Sequence, residues 1–149
     1  MLKTTLEDAA RSALKNQEPE LLSTLRMALA AIKNRELEKR AKTGASDLTE
    51  EETIAVVRSE VKKRKEAIVE FEKAARRDLA DKEKRERTIL EKYLPAEISD
   101  QEIENLVRPL AAGRVMADFG AVMGMAMKAV AGRASGDRVS AVVKRMLGT

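Results

Sequence analysis

Thr49-Glu50-Glu51-Glu52-Thr53-Ile54 opens the stretch whose reading decides the fold. A Thr followed three residues later by Glu matches a capping box. The Thr49 hydroxyl can accept from a free N–H of the first helical turn, and the Glu52 carboxylate can reach back to the start. Leu48 and Thr53 leave the accompanying hydrophobic staple unmade. From there Ile54, Val57, Val61, Arg64, Ile68, Phe71 and Ala75 recur at alternating three- and four-residue spacing. That is a helical seam with one Arg in it. A seam this short predicts a helical hairpin with the helix before or after it rather than a coiled coil. Arg64 must either snorkel outward or pair with a neighbour's carboxylate such as Glu36.

Upstream, Pro19 suits the first turn of a helix, where its missing N–H costs nothing. The spacing predicts a helix from there to about Ala41, with Leu22, Leu25, Leu29, Ile32 and Glu36 in its stripe. Thr43-Gly44-Ala45-Ser46 breaks it. A first helix is expected from Leu2 to Lys15, with Leu6, Ala9, Ala10, Ala13 and Leu14 on one face. Downstream, Leu79 to Leu94 reads as a fourth helix. Ile89, Leu90, Tyr93 and Leu94 should face inward, and Glu83 and Arg87 form an i,i+4 pair.

Composition changes near Pro95. Residues 1–95 hold 22 basic and 19 acidic residues, whereas 96–149 hold 7 and 6. Six of the seven glycines follow Pro95. We therefore expect an all-α protein in two parts: a charged long-helix hairpin or bundle of about four helices over 1–95, and a three-helix bundle over 96–149. The second part opens with Ile98-Ser99-Asp100-Gln101-Glu102-Ile103, which supplies a capping box at Ser99/Glu102 and a staple at Ile98/Ile103. Ile103, Leu106, Val107 and Leu110 form the inner face of that helix. The next helix, about Ala117 to Val130, turns Phe119, Val122, Met123, Ala126 and Val130 inward. The last follows Ser135 as N-cap, with Val139, Val142, Val143, Met146 and Leu147 inside.

The 149 residues include no His and no Cys, and only three aromatics. That excludes disulfides, thiol nucleophiles, zinc fingers and His-based triads or metal sites. No Walker-type or dinucleotide glycine loop is present, so no cofactor is expected. No run of apolar residues is long enough to cross a membrane, and nothing resembles a signal peptide, so the expected location is cytoplasmic. The net charge of +4 permits an anionic partner without demanding one.

The unusual residues cluster near the C-terminus. Gly120 and Gly124 share one helix face, and Lys128 is the next step along it. Each interior Gly costs roughly 1 kcal/mol against Ala. Either another helix packs closely on that face, or an anionic backbone lies against it and meets Lys128. Gly132 fits a left-handed helix end. Arg133 sits beside a helix N-terminus, where free N–H groups favour anions. From Leu106 onward Arg108, Arg114, Lys128, Arg133, Arg138, Lys144 and Arg145 face only Asp118 and Asp137, a local +5. This is either a phosphate-contacting surface or a solvated face. Lys62-Lys63-Arg64-Lys65 points around most of its helix, with Glu60 and Glu66 in reach, and reads as a solvated face.

Several segments together resemble the YqeY-like family. They are Ser23-Thr24-Leu25-Arg26-Met27, Ala31-Ile32-Lys33-Asn34, Phe71-Glu72-Lys73-Ala74-Ala75-Arg76-Arg77-Asp78-Leu79, Tyr93-Leu94-Pro95, Gly120-Ala121-Val122-Met123-Gly124, Met127-Lys128 and Gly132-Arg133-Ala134-Ser135-Gly136. The resemblance covers essentially the whole chain. It implies an all-helical protein whose C-terminal part is similar to the tail domain of the B subunit of the glutamine-dependent aspartyl/glutamyl-tRNA amidotransferase. That tail helps to hold tRNA, and a related module accompanies some glutaminyl-tRNA synthetases. By that likeness Gly120, Gly124, Lys128, Gly132 and Arg133 are tRNA-facing candidates. Arg138 and Lys144 join them from the basic stretch. Val115 stands where the family often has a Ser or Thr cap, so the start of the sixth helix should be frayed or shifted.

Three functions follow as expectations. The first is a non-catalytic tRNA-binding accessory protein, partnered by tRNA and by a tRNA synthetase or amidotransferase component. The second is a component of glutamine-dependent carbon–nitrogen ligase activity. Without an amidase-type Ser-Lys constellation, that activity would not be autonomous. The third is a helical protein-interaction adaptor.

Overall fold

The computed structural model describes residues 1–148. Among these the chain forms seven α-helices and no strand: α1 Leu2–Lys15, α2 Pro19–Thr43, α3 Glu50–Lys73, α4 Arg77–Glu91, α5 Asp100–Ala111, α6 Phe119–Val130 and α7 Gly136–Leu147. A 3₁₀ turn, Met116–Asp118, precedes α6. The chain divides into two compact units, Met1–Leu94 and a second from Pro95 onward.

In the first unit α1 packs on α2 and α3 packs most extensively on α4. Leu6, Leu25, Ala28, Ile32, Val57 and Leu90 are fully buried. The α3 start is the expected capping box: Thr49 Oγ1 accepts from the Glu52 N–H at 3.1 Å, and the Thr49 N–H donates to Glu52 Oε2 at 2.8 Å. Lys39 Nζ adds an ion pair to the same oxygen at 2.8 Å. The seam Ile54, Val57, Val61, Arg64 and Ile68 is buried.

The two hairpin turns share one geometry. At α1–α2 the Glu18 N–H donates to Ala13 O at 2.9 Å, and Gln17 has φ +56°. At α3–α4 the Arg76 N–H donates to Phe71 O at 2.8 Å, and Ala75 has φ +57°. This six-to-one bond closes the helix end with a left-handed residue.

Four expectations change here. Leu14 is 58% exposed rather than on the inner face, while Leu2 is buried. Ala75 leaves the seam for the turn, so α4 starts at Arg77 rather than Leu79. Arg64 is buried and pairs with Glu60 and Glu86, at 3.1 and 3.3 Å, not with Glu36. Glu36 binds Lys3 at 2.6 Å instead. Arg87 lies near Glu91, at 3.9 Å, rather than pairing with Glu83.

The second unit packs α5, α6 and α7 against one another. Ile103, Val107, Val122, Ala126, Val130, Val139 and Val143 form an apolar core. Ser99 and Glu102 close the second capping box: the Glu102 N–H donates to Ser99 Oγ at 3.2 Å, and the Ser99 N–H donates to Glu102 Oε2 at 2.8 Å. Ile98 packs on the core from the staple position. Among the described residues no single helix is long and apolar enough to cross a membrane.

Candidate nucleic-acid interface

The α6 helix carries the glycines. It begins later than the sequence pattern suggested, at Phe119. Val115 has no side-chain acceptor, and the chain enters through a 3₁₀ turn instead. The Asp118 carboxylate accepts from the Val115 N–H at 2.9 Å, which secures the turn from its far end.

Val122, Ala126 and Val130 are buried against α5 and α7. With 100° per residue, Gly120, Gly124 and Lys128 follow one another along a different line, and all three are exposed. A Cβ built on Gly120 or Gly124 meets no atom within 4 Å. Close packing by α5 or α7 therefore does not explain either glycine. Lys128 makes no ion pair with any described residue.

The other candidates are placed differently. Gly132 is buried with φ +76°, following Ala131 at φ +48°. These two left-handed residues turn the chain sharply into α7. Arg133 has a structural use that the sequence did not reveal. Its Nε donates to Val130 O at 2.9 Å and its Nη2 to Ala129 O at 3.1 Å, so the guanidinium caps the α6 C-terminus. A cation there also complements the negative end of the helix dipole.

Arg138 ties α7 to the start of α5. Its Nη2 donates to Ile98 O and Asp100 Oδ1, each at 2.7 Å, and Nη1 lies 3.5 Å from Glu97. This fork is braced by carboxylates and is poorly available to phosphate. Arg145 pairs with Glu104. Lys144 is exposed, and its Nζ lies 5.8 Å from the centroid of the Phe119 ring, within cation–π range. That contact holds an ammonium beside the N-terminal end of α6, one residue from Gly120. Arg114 is exposed and makes no ion pair with any described residue, although sequence reasoning counted it only in the basic total.

The arrangement therefore brings Gly120, Gly124 and Lys128 to the outside of α6, while Lys144 reaches from α7 to Phe119 on the core-facing side of the same helix. It keeps Arg133 on the end of that helix and turns Gly132 and Arg138 to structural work. Bare backbone flanked by ammonium groups can approach a phosphodiester closely and neutralise it. Among the described residues no group of His, Cys, Asp or Glu is arranged to hold a metal ion.

An uncharacterized protein of Schizosaccharomyces pombe is 30% identical over 99 residues, covering 66% of this chain and 76% of that protein. The family model described as Yqey-like protein matches residues 3–147, nearly the whole length, and the chain belongs to that family.

Proposed function

We propose that this chain is a non-catalytic, cytoplasmic tRNA-binding accessory protein that presents the outer face of α6 to the RNA backbone. It would serve a tRNA synthetase or a tRNA-dependent amidotransferase, whose B-subunit tail the second unit resembles. Any carbon–nitrogen ligase chemistry would belong to that partner.

The observation that carries the reading is the open glycine face. Gly120 and Gly124 lower helix stability by roughly 1 kcal/mol each relative to Ala, and among the described residues of the second unit nothing uses the space they leave. A bare helix surface with Lys128 one turn further on suits a ligand that must come within backbone distance. The ammonium of Lys144, beside Phe119 on the α7 side of the helix, adds a second cation near the N-terminal end of α6.

The test is tRNA binding by fluorescence anisotropy at low and near-physiological salt. Binding should weaken steeply with salt. Lys128→Glu together with Lys144→Glu should abolish it without loss of helicity. Arg133 is left intact because its loss would uncap α6. The pair Gly120→Ala and Gly124→Ala should raise thermal stability while weakening RNA binding, a combination that a structural role for the glycines does not produce. No binding at low salt, or binding indifferent to both sets of substitutions, overturns the reading.

A further inference from the structure

The α2 helix is apolar on two opposite sides. Thr24, Leu25, Ala28, Ile32 and Glu36 are buried in the first unit. Ser23, Met27, Ala30, Asn34, Leu37 and Ala41 recur on the other side at alternating four- and three-residue spacing, and every one of them is exposed. Met27 is 44% and Leu37 51% exposed. Near its N-terminal end this second seam borders an open hollow of about 450 Å³ lined by Pro19, Leu22, Ser23, Arg26, Met27 and Ala30. Small residues beside Met27 leave the kind of hole that a knob from a facing helix fills.

Charge decides what fits there. Arg26, Lys33 and Arg40 stand at heptad spacing along one edge of the seam, immediately before Met27, Asn34 and Ala41. Arg26 and Arg40 are exposed and make no ion pair with any described residue. Lys33 lies 4.0 Å from Glu36, whose closer partner is Lys3 at 2.6 Å. In a two-helix contact such edge positions face the edge of the partner helix. A second copy running antiparallel would set this basic row against itself. A parallel copy would give Lys33 the partner's Glu38 but leave Arg26 opposite an alanine. A nucleic-acid backbone would use the cations but not Met27 or Leu37.

We propose that this face of α2 receives an amphipathic helix with an acidic edge from a partner protein. Apolar knobs of the partner seat along Met27, Ala30 and Leu37. Its carboxylates meet Arg26, Lys33 and Arg40. The inference rests on the first unit alone and is independent of the RNA surface on α6.

The test uses the full chain and two labelled synthetic peptides with identical leucine and alanine heptads, one with Glu and one with Lys at the edge positions. The acidic peptide should bind more tightly by about tenfold or more. Met27→Asp with Leu37→Asp should remove that binding, again by about tenfold or more. Arg26→Glu with Arg40→Glu should invert the preference toward the basic peptide. All four positions are exposed, and circular dichroism should show unchanged helix content. Three results overturn the proposal: equal affinity for the two peptides, binding that survives the Asp substitutions, or sedimentation showing a self-association that the Asp substitutions abolish. Loss of tRNA binding in the Arg26/Arg40 variant, without any acidic-peptide binding, would assign the face to RNA instead.

Discussion

The two units bury their helices in different ways. The core from Pro95 onward is purely apolar, with Ile103, Val107, Val122, Ala126, Val130, Val139 and Val143 fully buried. The first unit buries Thr24, Glu36, Thr53, Arg64 and Glu86 beside its leucines and valines. The threonines satisfy themselves by donating to carbonyls on their own helices, Thr24 to Glu20 O at 2.9 Å and Thr53 to Thr49 O at 3.0 Å. Arg64 cannot do so completely. Its Nη1 donates to Glu60 O and to Glu60 Oε2, while its Nε rests 3.3 Å from Glu86 Oε2. The difference shows what a long hairpin needs beyond hydrophobicity. Two long amphipathic helices can slide by a heptad and still bury apolar faces. A buried Arg on α3 that finds its carboxylate on α4 in one register alone penalises every other register.

The largest effect should come from breaking that pair on one side. Arg64→Met strands Glu86 at 3% exposure and should cost about 3–5 kcal/mol. Replacing both, Arg64→Met with Glu86→Met, should recover most of that loss, because the buried charge disappears with its partner. Denaturant unfolding of the single and double variants measures the difference. Equal destabilisation would mean that Arg64 acts by packing its stem, and the contrast between the units would then be one of composition only.

Much of this was legible in the sequence, and the gaps have identifiable causes. Both capping boxes, the Pro19 start and the core faces of α5, α6 and α7 carry local signals that tertiary structure does not override. The α3–α4 turn departs from the heptad pattern because Ala75 adopts a left-handed conformation usually marked by Gly or Asn, and nothing in Phe71-Glu72-Lys73-Ala74-Ala75 announces it. Arg64 stands out in an apolar seam by its charge alone, but its partner depends on the hairpin register, which spacing along one helix does not contain. The same limit applies to α6. Sequence placed Gly120, Gly124 and Lys128 on one face, while only the packing of α5 and α7 shows that this face is open. Arg133 was read against the following helix; the structure turns it back onto the preceding one.

A smaller effect compares like with like. Each unit begins one helix with a capping box, and Thr49→Ala or Ser99→Ala should each cost about 1 kcal/mol. The boxes differ in what supports the glutamate. Glu52 is held charged first by the Lys39 ammonium and then by the Thr49 N–H, so its pKa is lowered. Its contribution is complete above the ordinary glutamate range and is lost as pH falls through the lowered folded value. Glu102 is lowered chiefly by the Ser99 N–H and hydroxyl, without a lysine. Salt should therefore weaken the Thr49 box more than the Ser99 box. Unfolding of Glu52→Gln and Glu102→Gln at low and high salt, at neutral and acid pH, distinguishes them. An identical salt response would remove Lys39 from the account.

The smallest predicted effect has the opposite sign. Glu83, half-buried on α4, has its pKa raised, first by burial and then by the nearby charge of Glu86, while Arg64 and Lys82 pull it down. Between the ordinary glutamate value and the raised folded value, the native state binds more protons than the unfolded chain. Stability from this residue therefore falls as pH rises through that window and recovers as pH drops. Glu83→Gln should stabilise the protein at neutral pH and remove that slope, whereas Glu52→Gln should destabilise it and flatten the acid limb. The two act in one unit, so a pH series of the single variants and the double separates them. If Glu83→Gln also destabilises at neutral pH, the carboxylate is serving the Arg64 cluster as a third anion, and the buried charge of the first unit extends one turn further along α4 than its ion pairs indicate.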